Sequence, residues 1–130
     1  MRLLLDSCVF LWLIWDEPEL SAPARATIAD PANEVFLSSA SLREITVKHL
    51  CGKLVLRRAV DPSTYYIEQR IAHGIEALAV DEAAVAQLPK LPALHRDPFD
   101  RMLVCQAIAH GLILVTPDEA IRRYPVRTFW

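Results

Sequence analysis

The stretch His95-Arg96-Asp97-Pro98-Phe99-Asp100-Arg101-Met102-Leu103, continuing to Gly111-Leu112-Ile113-Leu114-Val115-Thr116-Pro117-Asp118, decides the fold. Asp97 followed by Pro98 predicts a helix N-cap with proline at the first helical position. Phe99, Leu103, Ala107 and Ile108 recur at helical spacing, and Gly111 stands where a C-cap glycine belongs. Leu112 to Val115 then carries no polar residue, the pattern of a strand buried on both faces of a parallel sheet. Helix followed by strand brings Asp100 and Asp118 to one edge of a sheet. In open α/β sheets that edge is where ligands bind.

Upstream, Arg2-Leu3-Leu4-Leu5-Asp6-Ser7 reads as a short apolar strand with Asp6 at its carboxyl end. Val9-Phe10-Leu11-Trp12-Leu13-Ile14-Trp15 is apolar all round, so as a helix it needs cover on every side. One face belongs on the sheet; the other is expected to meet a partner chain. Ser21 caps a helix to about Ile28, and Glu34 to Leu37 predicts a second strand. Ser38 to Lys48 reads as a hydroxyl-capped helix in which Glu44 lies along an apolar stripe. Asp61-Pro62 opens another helix, Glu76 to Val80 a third strand, and Asp81 a helix to Leu88. Val126 to Trp130 is expected to be an edge strand. The order β-α-α-β-α-α-β-α-α-β-α-β describes a single three-layer α/β/α domain over residues 1–130, with a mainly parallel central sheet.

Composition narrows the function. No apolar run reaches the ~18 residues of a membrane span, and none reads as a signal peptide, so a cytoplasmic protein with no membrane partner is expected. The net charge of −2 excludes a generally basic nucleic-acid coat. Cys8, Cys51 and Cys105 are widely spaced and odd in number, as buried thiols rather than zinc ligands would be. The four histidines share no metal-like spacing and read as structural or surface residues. Lys53, Arg57 and Arg58 form a loose basic cluster that suits either a solvated surface or a phosphate contact. Arg96 and Arg101 are candidate phosphate contacts, with surface ion pairs as the alternative.

Four acids remain. Each has a plain structural role open to it: Asp6, Asp97 and Asp118 as helix caps, Asp100 at the third helical position, and Glu44 in an ion pair with Lys48. Yet the predicted topology lets Asp6, Glu44, Asp100 and Asp118 converge at the carboxyl edge. Two carboxylates about 4 Å apart repel by roughly 4 kcal/mol at an effective dielectric of about 20. Such a cluster persists only with protons or a cation. Oxygen ligands without imidazole or thiolate select a hard ion, Mg²⁺ or Mn²⁺, which suits hydrolysis of phosphodiesters.

Leu3-Leu4-Leu5-Asp6-Ser7, Ser41-Leu42-Arg43-Glu44-Ile45, His95-Arg96-Asp97-Pro98-Phe99-Asp100-Arg101 and Val115-Thr116-Pro117-Asp118 together resemble a PIN domain, and more narrowly a VapC-type toxin of a toxin–antitoxin pair. The resemblance covers nearly the whole chain. It implies that Asp6, Glu44, Asp100 and Asp118 are the catalytic, metal-binding acids, supported by Ser7, Thr116 and the cap Asp97. It further implies a Mg²⁺-dependent endoribonuclease acting on RNA, a homodimer, and inhibition by a cognate antitoxin.

Other classes fit less well. A phosphoaspartate enzyme of the dehalogenase type wants a second acid two residues after Asp6, where Cys8 stands, and a receiver wants paired acids before it. Three glycines cannot make a dinucleotide-binding fingerprint or a P-loop. The alternative that keeps the fold is a catalytically inactive PIN-like module that binds protein or RNA.

Overall fold

The computed structural model describes residues 1–54, 61–94 and 96–130. Among these, β1 (Arg2–Leu5), β2 (Glu34–Ser38), β3 (Glu76–Leu78), β4 (Ile113–Val115) and β5 (Thr128–Phe129) form one sheet in the order β3-β2-β1-β4-β5. Every pairing is parallel. The helices are α1 (Ser7–Ile14), α2 (Ala22–Ala29), α3 (Ser39–Leu50), α4 (Pro62–Ala72), α5 (Glu82–Val85), α6 (Pro98–His110) and α7 (Glu119–Arg122), with a 3-10 turn at Leu88–Lys90.

Side chains alternate across a strand, and here the alternation builds two cores. Leu3 and Leu5 of β1, Val35 and Leu37 of β2, and Ile113 and Val115 of β4 join one cluster with Val9, Phe10, Ala24, Ile45 and Tyr66 of α1 to α4. Leu4 and Leu114 face the other way, into a cluster with Leu103, Val104 and Ala107 of α6 and Ile121 of α7. This is the three-layer α/β/α arrangement expected. β1 is the central strand and its three leucines are fully buried.

The chain builds outward from β1 through β2 to β3, then crosses to the other side of β1 for β4. The reversal puts the topological switch point between the carboxyl ends of β1 and β4, the crevice where such sheets bind ligands.

Local signals hold at α6. Asp97 accepts from Phe99 N at 2.9 Å and Asp100 N at 3.4 Å, and Gly111 closes the helix with φ 65°, a conformation glycine adopts at little cost. Three expectations are corrected. The third strand stops at Leu78 and is exposed or half-buried, because it pairs with β2 alone at the sheet edge. The helix capped by Asp81 ends at Val85, followed by the 3-10 turn at Leu88–Lys90. And α1 does not offer a bare apolar face. Leu11, Trp12, Leu13, Ile14 and Trp15 pack on the first core, Trp12 lies 5.9 Å from the Trp130 ring, and Trp15 Nε1 donates to Tyr65 Oη at 3.3 Å. The C-terminal tail and α4 supply part of the cover that α1 needs, and these five side chains stay half-buried. Among the described residues, exposed apolar side chains include Val47 and Leu50 of α3, Ile67 and Ile71 of α4 and Val85 of α5, with Met1, Val80 and Leu94 outside the helices.

Candidate active site at the carboxyl edge

Asp6 immediately follows β1 and caps α1. Its Oδ1 accepts from Ser7 N at 2.7 Å, and its Oδ2 accepts from Thr116 Oγ1 at 2.7 Å. Thr116 is the residue just past β4, so this bond spans the switch point. The Thr116 hydroxyl oxygen in turn accepts from Asp118 N at 3.1 Å, and Asp118 caps α7 by accepting from Ala120 N at 2.8 Å. A continuous relay therefore runs from Asp118 N–H through Thr116 to the Asp6 carboxylate. Asp6 and Thr116 are both buried.

Burial pushes the Asp6 carboxyl above the ordinary range. The bonds from Thr116 and Ser7 pull it back, while the charges of Glu44 and Asp118 push it further up. Three of the four acids thus share one electrostatic field. Glu44 stands on α3, half-buried, with Oε1 3.3 Å from Lys48 Nζ. The ion pair that the spacing allowed does form, and the carboxylate still acts on Asp6.

Asp97 and Asp100 occupy the first turn of α6. The far end of α6 lies at the amino edge of the sheet, where Arg2 Nη1 donates to His110 O at 2.8 Å. Gln106, one turn earlier, already accepts from Ser38 Oγ at the carboxyl end of β2, at 2.6 Å. Continuing along the axis carries Asp100 to the carboxyl side, where it is half-buried. Asp97 is engaged as a cap, which suits a supporting role.

Arg101 donates to Pro92 O at 3.1 Å and Tyr124 Oη at 3.2 Å, with its guanidinium 5.9 Å above the Tyr124 ring. It braces the loop before α6. Arg96 is exposed, and both arginines line an open depression of about 650 Å³ with Ala93 and Leu94. His95, Arg57 and Arg58 lie outside the described residues.

The donor set bears on a metal. Around Asp6 the ligating groups are carboxylates and hydroxyls, since burial and the Asp6 charge push the neighbouring Cys8 thiol up to about 12 and leave it protonated. The Ser7 hydroxyl is buried without a hydrogen-bond partner among the described residues. Such a set fits a hard divalent cation in its chemistry. Among the described residues, no three His, Cys, Asp or Glu side chains stand arranged to hold one ion in this conformation.

Two features escaped the sequence reading. Gln106 is a buried amide that ties β2 to the loop after β3, donating to Ala79 O at 3.3 Å; its signal was a lone polar residue between apolar neighbours on α6. Ser41 is buried in the first turn of α3 with its hydroxyl unpartnered among the described residues, which no local pattern announces.

The sequence model of the PIN domain matches residues 3–126. The chain belongs to the PIN domain family. Ribonuclease VapC22 of Mycobacterium tuberculosis is 28% identical to this PIN domain over 123 residues, covering 93% of this chain and 90% of that protein. Among solved structures, VapBC2 of Rickettsia felis bound to a fragment of promoter DNA superposes with a TM-score of 0.75 at 17% identity, over 100% of this chain and 99% of that one. DNA-bound VapBC of Salmonella typhimurium gives a TM-score of 0.70 at 19% identity, over 99% and 97%. FitAcB of Neisseria gonorrhoeae gives 0.61 at 19%, over 98% and 96%. These likenesses establish the shared fold over the full chain.

Proposed function

We propose that this PIN domain is a VapC-type endoribonuclease, the toxin of a toxin–antitoxin pair, with Asp6, Glu44, Asp100 and Asp118 as its metal-binding acids. The observation that carries the reading is Asp6: a buried carboxylate at the switch point, in the field of Glu44 and Asp118. A protein that needed only an N-cap there gains nothing from adding like charges. The name of its VapC22 relative supports ribonuclease chemistry, and the VapBC complexes support an antitoxin as partner. A homodimer and a cytoplasmic RNA substrate belong to the same proposal.

Asp6, Glu44, Asp100 and Asp118 would hold Mg²⁺ or Mn²⁺. When bound, the ion would neutralise phosphodiester charge and favour in-line attack by water. Thr116 fixes the Asp6 rotamer by donating to Oδ2, which leaves Oδ1 shared with the start of α1. Asp118, held by its own N–H to Thr116, keeps the two strand ends in register. Arg96, exposed beside the depression, would take a phosphate of the RNA backbone, while Arg101 supports the loop beneath it.

The test is cleavage of single-stranded and structured RNA by the purified protein with Mg²⁺, with Mn²⁺ and with chelator. Ion-dependent cleavage that Asp6→Asn and Asp100→Asn abolish is expected. Binding of RNA without cleavage under any ion would establish the inactive binding module instead.

A further inference from the structure

Glu44 has two neighbours along one stripe of α3: Ser41, three residues before it, and Lys48, four residues after. Lys48 holds the carboxylate at 3.3 Å from the solvent side, its own side chain 49% exposed against 22% for Glu44. Ser41 lies on the inward side, with no exposed surface and a hydroxyl that bonds to none of the described residues. Serine and threonine in helices usually bond the carbonyl four residues back, as Thr46 Oγ1 does to Leu42 O at 2.7 Å. That outlet is missing for Ser41. It sits in the first turn, and the residue four back, Leu37, belongs to β2.

The start of α3 lies beside the start of α1. β1 and β2 pair in register with Leu5 opposite Leu37, so Asp6 and Ser38 end adjacent strands and α1 and α3 leave the same edge in contact. Among the described residues the Ser41 hydroxyl is thus a buried donor without an acceptor, one helical turn from Glu44 and on the helix that begins next to Asp6. Unpaired buried polar groups cost stability, so their retention calls for a second use.

We propose that Ser41 is a positioning residue for Glu44, donating to its carboxylate when that side chain turns from Lys48 toward Asp6 to hold a divalent cation. The inference rests on the carboxylate site proposed above. Ser41 touches no ion; it acts by setting the direction of a ligand, as hydrogen-bonded partners of metal ligands do. Lys48 is the competitor that holds the carboxylate outward until the ion draws it in.

The experiment compares the full-length wild type with Ser41→Ala, which keeps nearly the same volume, and with Ser41→Cys, which keeps the side-chain connectivity with a larger atom that donates weakly. Melting temperatures are read in chelator and across a Mn²⁺ titration, with calorimetry for the affinity. Removing an unpaired hydroxyl should leave the melting temperature in chelator unchanged or raised, while Mn²⁺ affinity falls about 10-fold in both variants. A hydroxyl that merely packs gives the wild-type Mn²⁺ response in both variants, and that result overturns the proposal. A wild type with no Mn²⁺ response at all overturns the carboxylate site itself, a separate and distinguishable failure.

Discussion

Thr116 Oγ1 donates to Asp6 Oδ2 at 2.7 Å, joining residues 110 positions apart across the two strand ends that flank the switch point. The same oxygen accepts from Asp118 N, so one hydroxyl orders two acids. Thr116→Val preserves shape and removes both bonds. It should destabilise the fold by about 1–3 kcal/mol, the cost of leaving buried polar groups unpaired. Urea unfolding at pH 7 measures this, and an unchanged midpoint would show the relay to be dispensable.

Asp6 sets a pH dependence with a definite sign. Its folded pKa lies above the unfolded value, chiefly through burial, so its contribution to stability is full below the ordinary carboxylate range and is lost as pH rises through the folded value. Ionised Asp6 therefore burdens the fold at neutral pH when no cation is present. Asp6→Asn removes that charge but turns Nδ2 toward one of the two donors. In chelator the relief of charge should therefore open a gap in the variant's favour at pH 7, set against the lost hydrogen bond. The gap should close as pH falls to about 4. A variant whose stability relative to wild type does not improve from about pH 4 to pH 7 would contradict the assigned direction.

Cysteine reactivity should divide sharply. Cys51 is exposed, whereas the Cys8 thiol is pushed up to about 12 by burial and the Asp6 charge. At pH 8 roughly one Cys8 in ten thousand is thiolate. Burial also raises the Cys105 thiol. Iodoacetamide at pH 8 should label Cys51 first, and Cys51→Ser should leave the folded protein nearly unlabelled by mass spectrometry.

Gln106 binds β2 and the segment after β3 to α6 from a site with no exposed surface. Gln106→Leu keeps the volume but leaves the Ser38 hydroxyl without its acceptor and Ala79 O without its donor. A loss of about 1–3 kcal/mol is expected in chemical denaturation. Because Ser38 also caps α3 through Ala40 N at 3.0 Å, the helix carrying Glu44 should loosen too, seen as faster amide exchange in its first turn.

What the chain discloses on its own is what neighbours in sequence settle among themselves. Asp97-Pro98 and Gly111 bound α6 because caps and φ preferences act over a few residues. Leu3 to Leu5 and Ile113 to Val115 announce buried parallel strands because apolar runs have nowhere else to go. Asp6 and Asp118 at strand ends follow from the same reading. What folding alone decides depends on strand order and packing. β4 could have lain elsewhere in the sheet; its place beside β1 is what sets Thr116 against Asp6. The apolar surface of α1 demanded cover, and Trp130 and Tyr65, distant in sequence, supply part of it. Ser41 drew no notice as one hydroxyl in a polar helix start, and only its burial among the layers strands it beside Glu44. Short-range hydrogen bonding and periodicity are written residue by residue, whereas long-range contacts arise from which faces the assembled sheet leaves to be covered.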